Sequence, residues 1–317
     1  MEDSKQKLLI ILGPTAVGKS FLAVELAKQF NGEIISADSR QVYRGLNIGT
    51  GKITATEMSG VPHHLLDVVD PSERFSVADF VKLAKVAITD ISSRGKLPIM
   101  CGGTGFYIQA LVDGITLPEV PPNEELRAEL EAKELPELAQ KLESLDPCRA
   151  ADMQANGDIK NKRRVIRALE IIDELGEVPP LSDTTTVNYS GDIGMYDPLF
   201  IGLTLPPDQL REKIRTRLIS RIDTGMIEEA ETLHQAPPVG INLSWERMDE
   251  LGLEYRFLAR HLQGHISKDE MTEKLSTEIW HYAKRQMTWF KRDGRIKWFA
   301  PVQLTEMKVK VKKFTSI

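Results

Sequence analysis

Only two of the 317 residues are cysteine, Cys101 and Cys148, and they form neither a disulfide framework nor a metal-ligand spacing. Each reads as a small buried or half-buried side chain. Redox and zinc chemistry are thereby excluded. No apolar run approaches the roughly 20 residues a membrane helix needs. The N-terminal MEDSKQK carries charges but is followed by no signal-peptide core and cleavage site, so a cytoplasmic protein without membrane contact is expected. Internal repeats and low-complexity tracts are also missing. A formal net charge of −5 argues against indiscriminate coating of nucleic acid. What remains is ordinary soluble composition, 41% apolar and 27% charged, over a length that suits one large α/β domain with an insertion, or two domains.

The charge is nonetheless unevenly placed. Residues 119–143 carry eight glutamates against three basic residues. By contrast, KNKRRVIR at 160–167 holds five basic residues and no acid, and KRQMTWFKRDGRIK at 284–297 holds six basic residues and one acid. One basic run alone is most often a solvated helix face; two, one of them interleaved with aromatics, fit a polyanion footprint. Strands are expected at 7–12, 33–36 and 97–101, alternating with helices at 18–30 and 77–94. That order predicts a parallel sheet covered by helices on both faces, with ligands at the carboxyl ends of its strands. From Leu117 to about Ser190 the texture turns to short polar helices punctuated by proline. This is read as a helical insertion, 117–190, between core segments 1–116 and 191–317. A further strand is expected at 198–205, then helices from Asp208 to the Trp289 region with breaks near Pro237-Pro238 and Gly264, and finally a strand and a ragged end over 297–317.

GPTAVGKS, residues 13–20, follows the first strand directly and precedes the helical FLAVELA. In G-x-x-x-x-G-K-[ST] the glycines let backbone N–H groups turn inward around phosphate oxygens, the lysine reaches the outer phosphates, and the hydroxyl can bind Mg²⁺. Gly13, Pro14, Thr15, Ala16, Val17, Gly18, Lys19 and Ser20 are therefore the candidate phosphate site. A nucleotide such as ATP is the usual occupant, but a small pyrophosphate ester presents the same oxygens. Motor and switch NTPases pair the cradle with an apolar strand ending in a Mg²⁺-organising acid. Here the best candidate, Leu65-Leu66-Asp67, is weak, and the strand at 97–101 ends in Gly102-Gly103 instead. The second strand leads into Asp38-Ser39-Arg40-Gln41-Val42-Tyr43. An acid there, one crossover from the cradle, is placed to take a proton from a nucleophile aimed at a phosphate ester.

These stretches, with GLNIGTGK at 45–52, VPHHLLDVVDP at 61–71, FSVADF at 75–80, CGGTGFYIQAL at 101–111 and AKRQMTWF at 283–290, closely resemble the tRNA dimethylallyltransferase family, also called isopentenylpyrophosphate transferases. The matching blocks run in the family's order from about Leu8 to Trp298. The resemblance implies an α/β, P-loop NTPase-like core with a parallel sheet and a helical insertion domain. It also implies transfer of a dimethylallyl group from its pyrophosphate to N6 of the adenosine 3′ of the anticodon in tRNA. Carried over by residue, Thr15, Gly18, Lys19 and Ser20 would hold the donor pyrophosphate, with Mg²⁺ as cofactor through Ser20. Asp38 would hydrogen-bond N6 and accept its proton, and Arg217 would steady the leaving group. The family helix usually reads R-I-x-x-R; this chain has Lys213 where the first arginine stands, which leaves Arg217, with Arg221 an extra charge. Asp38, Ser39, Arg40, Gln41, Thr104 and Arg127 match positions that touch tRNA. Where many members carry G-Y-x-[EQ], this chain departs with SWERMDELGLEYR at 244–256.

An adenine stacked in an anticodon loop must be pulled out before it reacts, at a cost of a few kcal/mol that contacts elsewhere must offset. Lys162, Arg163, Arg164 and Arg167 on one expected helix, and Lys284, Arg285, Gln286 and Trp289 on another, are the candidate tRNA faces. Gln41, Gln286 and Tyr43 suit base-edge or stacking contacts. Plainer roles stand beside these: Thr104 as a helix N-cap, Arg127 as the i,i+4 partner of Glu131, Trp289 in the core, His63 and His64 as structural residues. The expected partners are a tRNA anticodon stem-loop and dimethylallyl pyrophosphate, bound by a monomer. An adenylate isopentenyltransferase acting on free AMP, ADP or ATP shares the cradle and the acid but lacks much of the insertion. A P-loop small-molecule kinase would need an arginine-bearing lid, and the glutamate-rich start of the insertion does not supply one.

Overall fold

A computed structural model describes residues 5–115, 118, 120–178, 195–235 and 242–316. The expected insertion limits at Leu117 and Ser190, and the expected break at Pro237-Pro238, lie outside these residues. The chain divides into two compact units, Met1–Asp113 with Asp192–Ile317, and Gly114–Gly191.

The first unit begins with β1 (Gln6–Leu12), α1 (Lys19–Gln29), β2 (Gly32–Ala37), a single turn α2 (Ala55–Met58), β3 (His63–His64), α3 (Val77–Ser93), β4 (Leu97–Gly102) and α4 (Gly105–Val112). The second unit is helical: α5 (Glu124–Glu131), α6 (Leu135–Leu145), α7 (Pro147–Asn156) and α8 (Lys162–Leu175). It buries Leu130, Leu138, Leu142, Val165 and Leu169 together. The first unit resumes with β5 (Tyr196–Leu203), α9 (Pro207–Asp223), α10 (Met226–Gln235), α11 (Trp245–Leu251), α12 (Leu253–Leu262), α13 (Lys268–Phe290), β6 (Lys297–Phe299) and α14 (Leu304–Thr315).

Among the described residues the strands form one sheet in the order β3-β2-β4-β1-β5-β6, every neighbouring pair parallel. β1 shows why its sequence is an unbroken apolar run. Leu9 and Ile11 enter one cluster with α1 and α9, while Leu8, Ile10 and Leu12 enter another with Phe80, Ala84 and Ile88 of α3. Side chains alternate across a strand, and here both faces are covered. α3 opens on a capping box between Ser76 and Asp79 and lays Phe80, Ala84, Ile88 and Ile91 on the sheet at helical spacing. Gly102 pairs with Leu12 on one side and Ala37 on the other, so β1, β2 and β4 end level and their following turns leave one edge together.

The tail corrects an expectation. After β6 the chain forms α14 rather than a ragged end, because Met307 and Val311, four apart, sink into the core beside α1 and α9.

At the amino end of β2, the Glu33 side chain is 2% exposed and accepts hydrogen bonds from Arg94, from Lys96 Nζ at 2.7 Å and from His64 Nε2 at 2.8 Å. His64 therefore ties the two-residue edge strand to its neighbour, and His63 bonds the carbonyl of Val61; both are structural. The Arg94 guanidinium first, then Lys96 and His64, hold the Glu33 carboxyl well below its usual value of 4.5 despite burial. A depressed folded value means stability that is present above about pH 4.5 and is lost as pH falls below it. Glu33→Gln is expected to cost about 1–3 kcal/mol at neutral pH, the scale of lost charge-assisted hydrogen bonds. It should also flatten the loss of melting temperature on acidification. Wild-type melting of the variant at neutral pH would contradict this role.

Candidate active site

The turn after β1 has the conformation its glycines allow. Gly13 has φ +144°, and a Cβ there would lie 2.4 Å from the carbonyl oxygen of Leu203 on β5. Gly18, at φ +100°, is the N-cap of α1. Ala16 adopts φ 62°, a left-handed conformation uncommon outside glycine and typical of ligand-holding turns. α1 starts with no side-chain cap and no acid in its first turn. Its first N–H groups and the positive end of its dipole thus remain available to an anion. Lys19 Nζ donates to the carbonyl oxygen of Pro14 at 2.7 Å, which folds the lysine back over the cradle. It keeps partial solvent contact, yet the protein packed around the ammonium pushes its pKa down to about 8, opposed in part by the charge of Asp38. Cys101 lies beneath, and burial raises its thiol to about 11, so it stays neutral and unreactive.

Asp38 sits just past the carboxyl end of β2. Its Oδ1 accepts the backbone N–H of Arg40 at 2.9 Å and of Gln41 at 3.4 Å, an arrangement that fixes the carboxylate and leaves Oδ2 for an incoming donor. Thr104 begins α4, but its side chain caps nothing there. Its hydroxyl instead accepts the backbone N–H of Ser39 at 3.0 Å and joins the turn after β2 to the turn after β4. That junction is tight: a Cβ on Gly102 would lie 2.1 Å from the carbonyl oxygen of Ala37.

Gln286 and Tyr43 need correction as tRNA contacts. Gln286 is 6% exposed. Its Oε1 accepts the backbone N–H of Thr15 at 2.9 Å and its Nε2 donates to the carbonyl of Gly103 at 2.9 Å, so the buried amide bridges two turns. α13 presses so closely that a Cβ on Gly103 would meet Gln286 Nε2 at 2.3 Å, and one on Gly105 would meet Trp289 Cδ1 at 2.2 Å. The glycines of CGGTGF are thus the seat of α13. Tyr43 is buried, with Arg247 over its ring. Lys284, Arg285 and Trp289 do share a face, lining with His281, Thr288 and Arg292 an open groove of about 530 Å³. Trp289 is half-buried and meets Phe106 edge-on at 6.2 Å.

On α9, Arg217 donates from Nη2 to the carbonyl of Gly51 at 3.0 Å, and Arg221 from Nη1 to the carbonyl of Gly49 at 2.8 Å. Desolvation, then the neighbouring Arg221 charge, lowers the pKa of Arg217, which stays a cation at neutral pH. Lys19 feels Asp38 and Arg217 with opposite sign, so α1, the end of β2 and α9 hold three charges within electrostatic range of one another. Two tyrosines that the sequence did not single out, Tyr107 and Tyr282, are raised chiefly by burial and also by the Asp38 charge. Tyr282 lies one turn before Gln286, a spacing that could have drawn attention to it. Leu65-Leu66-Asp67 follows the two-residue β3 but is not itself strand: Leu65 and Asp67 both have positive φ and Asp67 pairs with Lys52.

In the helical unit the basic residues are differently engaged. Arg127 bonds the buried Glu170 through Nε at 2.7 Å and approaches Glu124 at 3.7 Å, rather than pairing with Glu131. Arg167 donates to the carbonyl of Val120 and reaches Glu170, Lys162 donates to the carbonyl of Glu131, and Arg164 pairs with Asp158. Arg163 is exposed and among the described residues makes no such bond.

The sequence profile of the family described as IPP transferase matches residues 41–293. The chain is 45% identical over 291 residues to tRNA dimethylallyltransferase 2 of Treponema denticola, covering 92% of this chain and 93% of that protein. It is 43% identical over 300 residues to the tRNA dimethylallyltransferase of Halalkalibacterium halodurans, covering 93% and 91%. Among solved structures it is similar to the tRNA isopentenylpyrophosphate transferase of Bacillus halodurans, with TM-score 0.69, 39% identity and coverage of 98% and 96%. It also matches a eukaryotic dimethylallyltransferase acting on tRNA, with TM-score 0.76, 29% identity and coverage of 93% and 74%.

Proposed function

The chain belongs to the IPP transferase family, and from this premise we propose that it is a tRNA dimethylallyltransferase acting on N6 of the adenosine 3′ of the anticodon. The donor is dimethylallyl pyrophosphate, and the products are N6-isopentenyladenosine and pyrophosphate. The observation that carries this reading is that the turn bearing Lys19 and the turn bearing Asp38 leave the sheet at the one edge where β1, β2 and β4 end, with Arg217 held to the loop after Asp38 through the Gly51 carbonyl.

An exocyclic adenine amine is a poor nucleophile, because its lone pair is delocalised into the ring. In the reaction N6 forms a bond to the allylic carbon while the carbon–oxygen bond breaks, and the electron pair of that bond leaves with the diphosphate. The proton of N6 passes to Oδ2 of Asp38. Lys19, the N–H groups at the start of α1 and Arg217 stabilise the charge that grows on the leaving oxygen. The hydroxyl of Ser20, the second residue of α1, would hold Mg²⁺ together with phosphate oxygens and water. When bound, the ion adds charge neutralisation to the diphosphate.

Exposed Arg163 and the α13 groove supply phosphate contacts for the tRNA. Arg163→Glu should weaken tRNA binding and lower the slope of log affinity against log salt by roughly 0.7–0.9, one phosphate contact. Unaltered affinity and slope would remove Arg163 from the interface. No helix among the described residues is long and apolar enough to cross a membrane, and the proposed setting is the cytoplasm. The test is incubation with dimethylallyl pyrophosphate, Mg²⁺ and either unmodified tRNA or AMP, followed by mass analysis. A gain of one isoprene unit on tRNA is expected; a gain on AMP alone would identify an adenylate isopentenyltransferase.

A further inference from the structure

The loop between β2 and α2 closes on a half-buried carboxylate that the reaction itself does not use. Glu229, on α10, accepts the backbone N–H groups of Asn47 at 3.0 Å, Ile48 at 2.7 Å and Gly49 at 2.9 Å, and the hydroxyl of Tyr255 at 2.7 Å. Three successive N–H groups turned onto one carboxylate form a backbone nest, here filled from within the protein. The same loop turns its carbonyls the other way: Gly49 accepts from Arg221 and Gly51 from Arg217. There is no slack in this arrangement. A Cβ on Gly49 would lie 2.7 Å from the Tyr255 ring, and one on Gly51, at φ +60°, would lie 2.3 Å from Arg217 Nη2.

We infer that Glu229 is a positioning residue for the transfer: by gripping the 47–49 N–H groups it fixes the loop whose Gly51 carbonyl aims Arg217 at the departing diphosphate. A looser turn at 47–51 would let the Arg217 guanidinium drift, whereas Arg221 is also held by Glu254 at 3.1 Å, and leaving-group stabilisation depends on donors that are already in place. The carboxylate is needed because it alone offers enough acceptor positions for three N–H groups and a hydroxyl. An amide of the same shape turns a donor toward the nest and leaves at least one N–H without a partner. The inference rests on the reading of Arg217 as a leaving-group cation.

The test is a double-mutant cycle between Glu229→Gln and Arg217→Ala, read as turnover on tRNA and as inhibition by Mg-pyrophosphate. Glu229→Gln alone should lower kcat roughly tenfold, leave KM for tRNA within about twofold, and weaken pyrophosphate inhibition by a similar factor. In the Arg217→Ala background it should cost no more than about twofold further, since interacting residues are non-additive. Tyr255→Phe, which removes one of the four bonds, should show a smaller loss with the same pattern, and carries the test if Glu229→Gln does not fold. Wild-type turnover of Glu229→Gln, or its full loss repeated without Arg217, overturns the inference. A wild-type enzyme that binds pyrophosphate but does not prenylate tRNA overturns the functional reading instead.

Discussion

Asp38→Ala should lower turnover about 10²-fold or more, the usual scale for removing a general base, while tRNA binding is kept. Alanine also removes the acceptor for the Arg40 and Gln41 N–H groups, so the loss would combine chemistry with a loosened turn. Asp38→Asn separates the two. Its carbonyl can still accept both N–H groups, but it cannot take a proton from N6. A fall in kcat nearly as large as that of alanine, with tRNA affinity unchanged, is the expected result. If asparagine kept near-wild-type turnover, Asp38 would be a turn-former and not the base.

Lys19→Met should cost about 10²–10³-fold in kcat, the scale seen when one fixed donor to a developing oxyanion is removed. Burial, which sets the ammonium pKa near 8, adds a signature in pH. The protonated form is present below that value and is lost as pH rises through it. Pyrophosphate affinity of the wild type should therefore weaken above about pH 8. The bound anion favours the charged lysine, so in the complex the transition should move upward. In Lys19→Met this limb should vanish. A methionine variant with an unaltered pH profile would assign the titration to another group.

Much of the site was legible because its parts are local. GPTAVGKS needs only its own turn, the strand before it and the helix after it, and the acid after β2 follows from the parallel order of strands. The part Thr104 and Gln286 play in joining turns was not legible, for a common reason. Their partners are far along the chain: Ser39 lies 65 residues from Thr104, and Thr15 lies 271 residues from Gln286. A helix periodicity shows which residues share a face but not whether that face meets RNA or the seat formed by Gly103 and Gly105. Arg127 makes the same point within the helical unit, where Glu131 stands at the helical spacing but the buried Glu170, 43 residues on, takes the guanidinium. The α14 helix could have been read from Leu304, Met307, Val311 and Phe314, whose spacings of three and four outweigh the alternating MKVKVKK.

The most direct test is a single time course in which released diphosphate and N6-isopentenyladenosine are counted together, with dimethylallyl pyrophosphate, Mg²⁺ and an unmodified anticodon-arm RNA. One modified adenosine for each diphosphate, both falling together in Asp38→Asn and Lys19→Met, is the outcome required. Diphosphate appearing without modified adenosine, or neither appearing with all components saturating, would contradict the account.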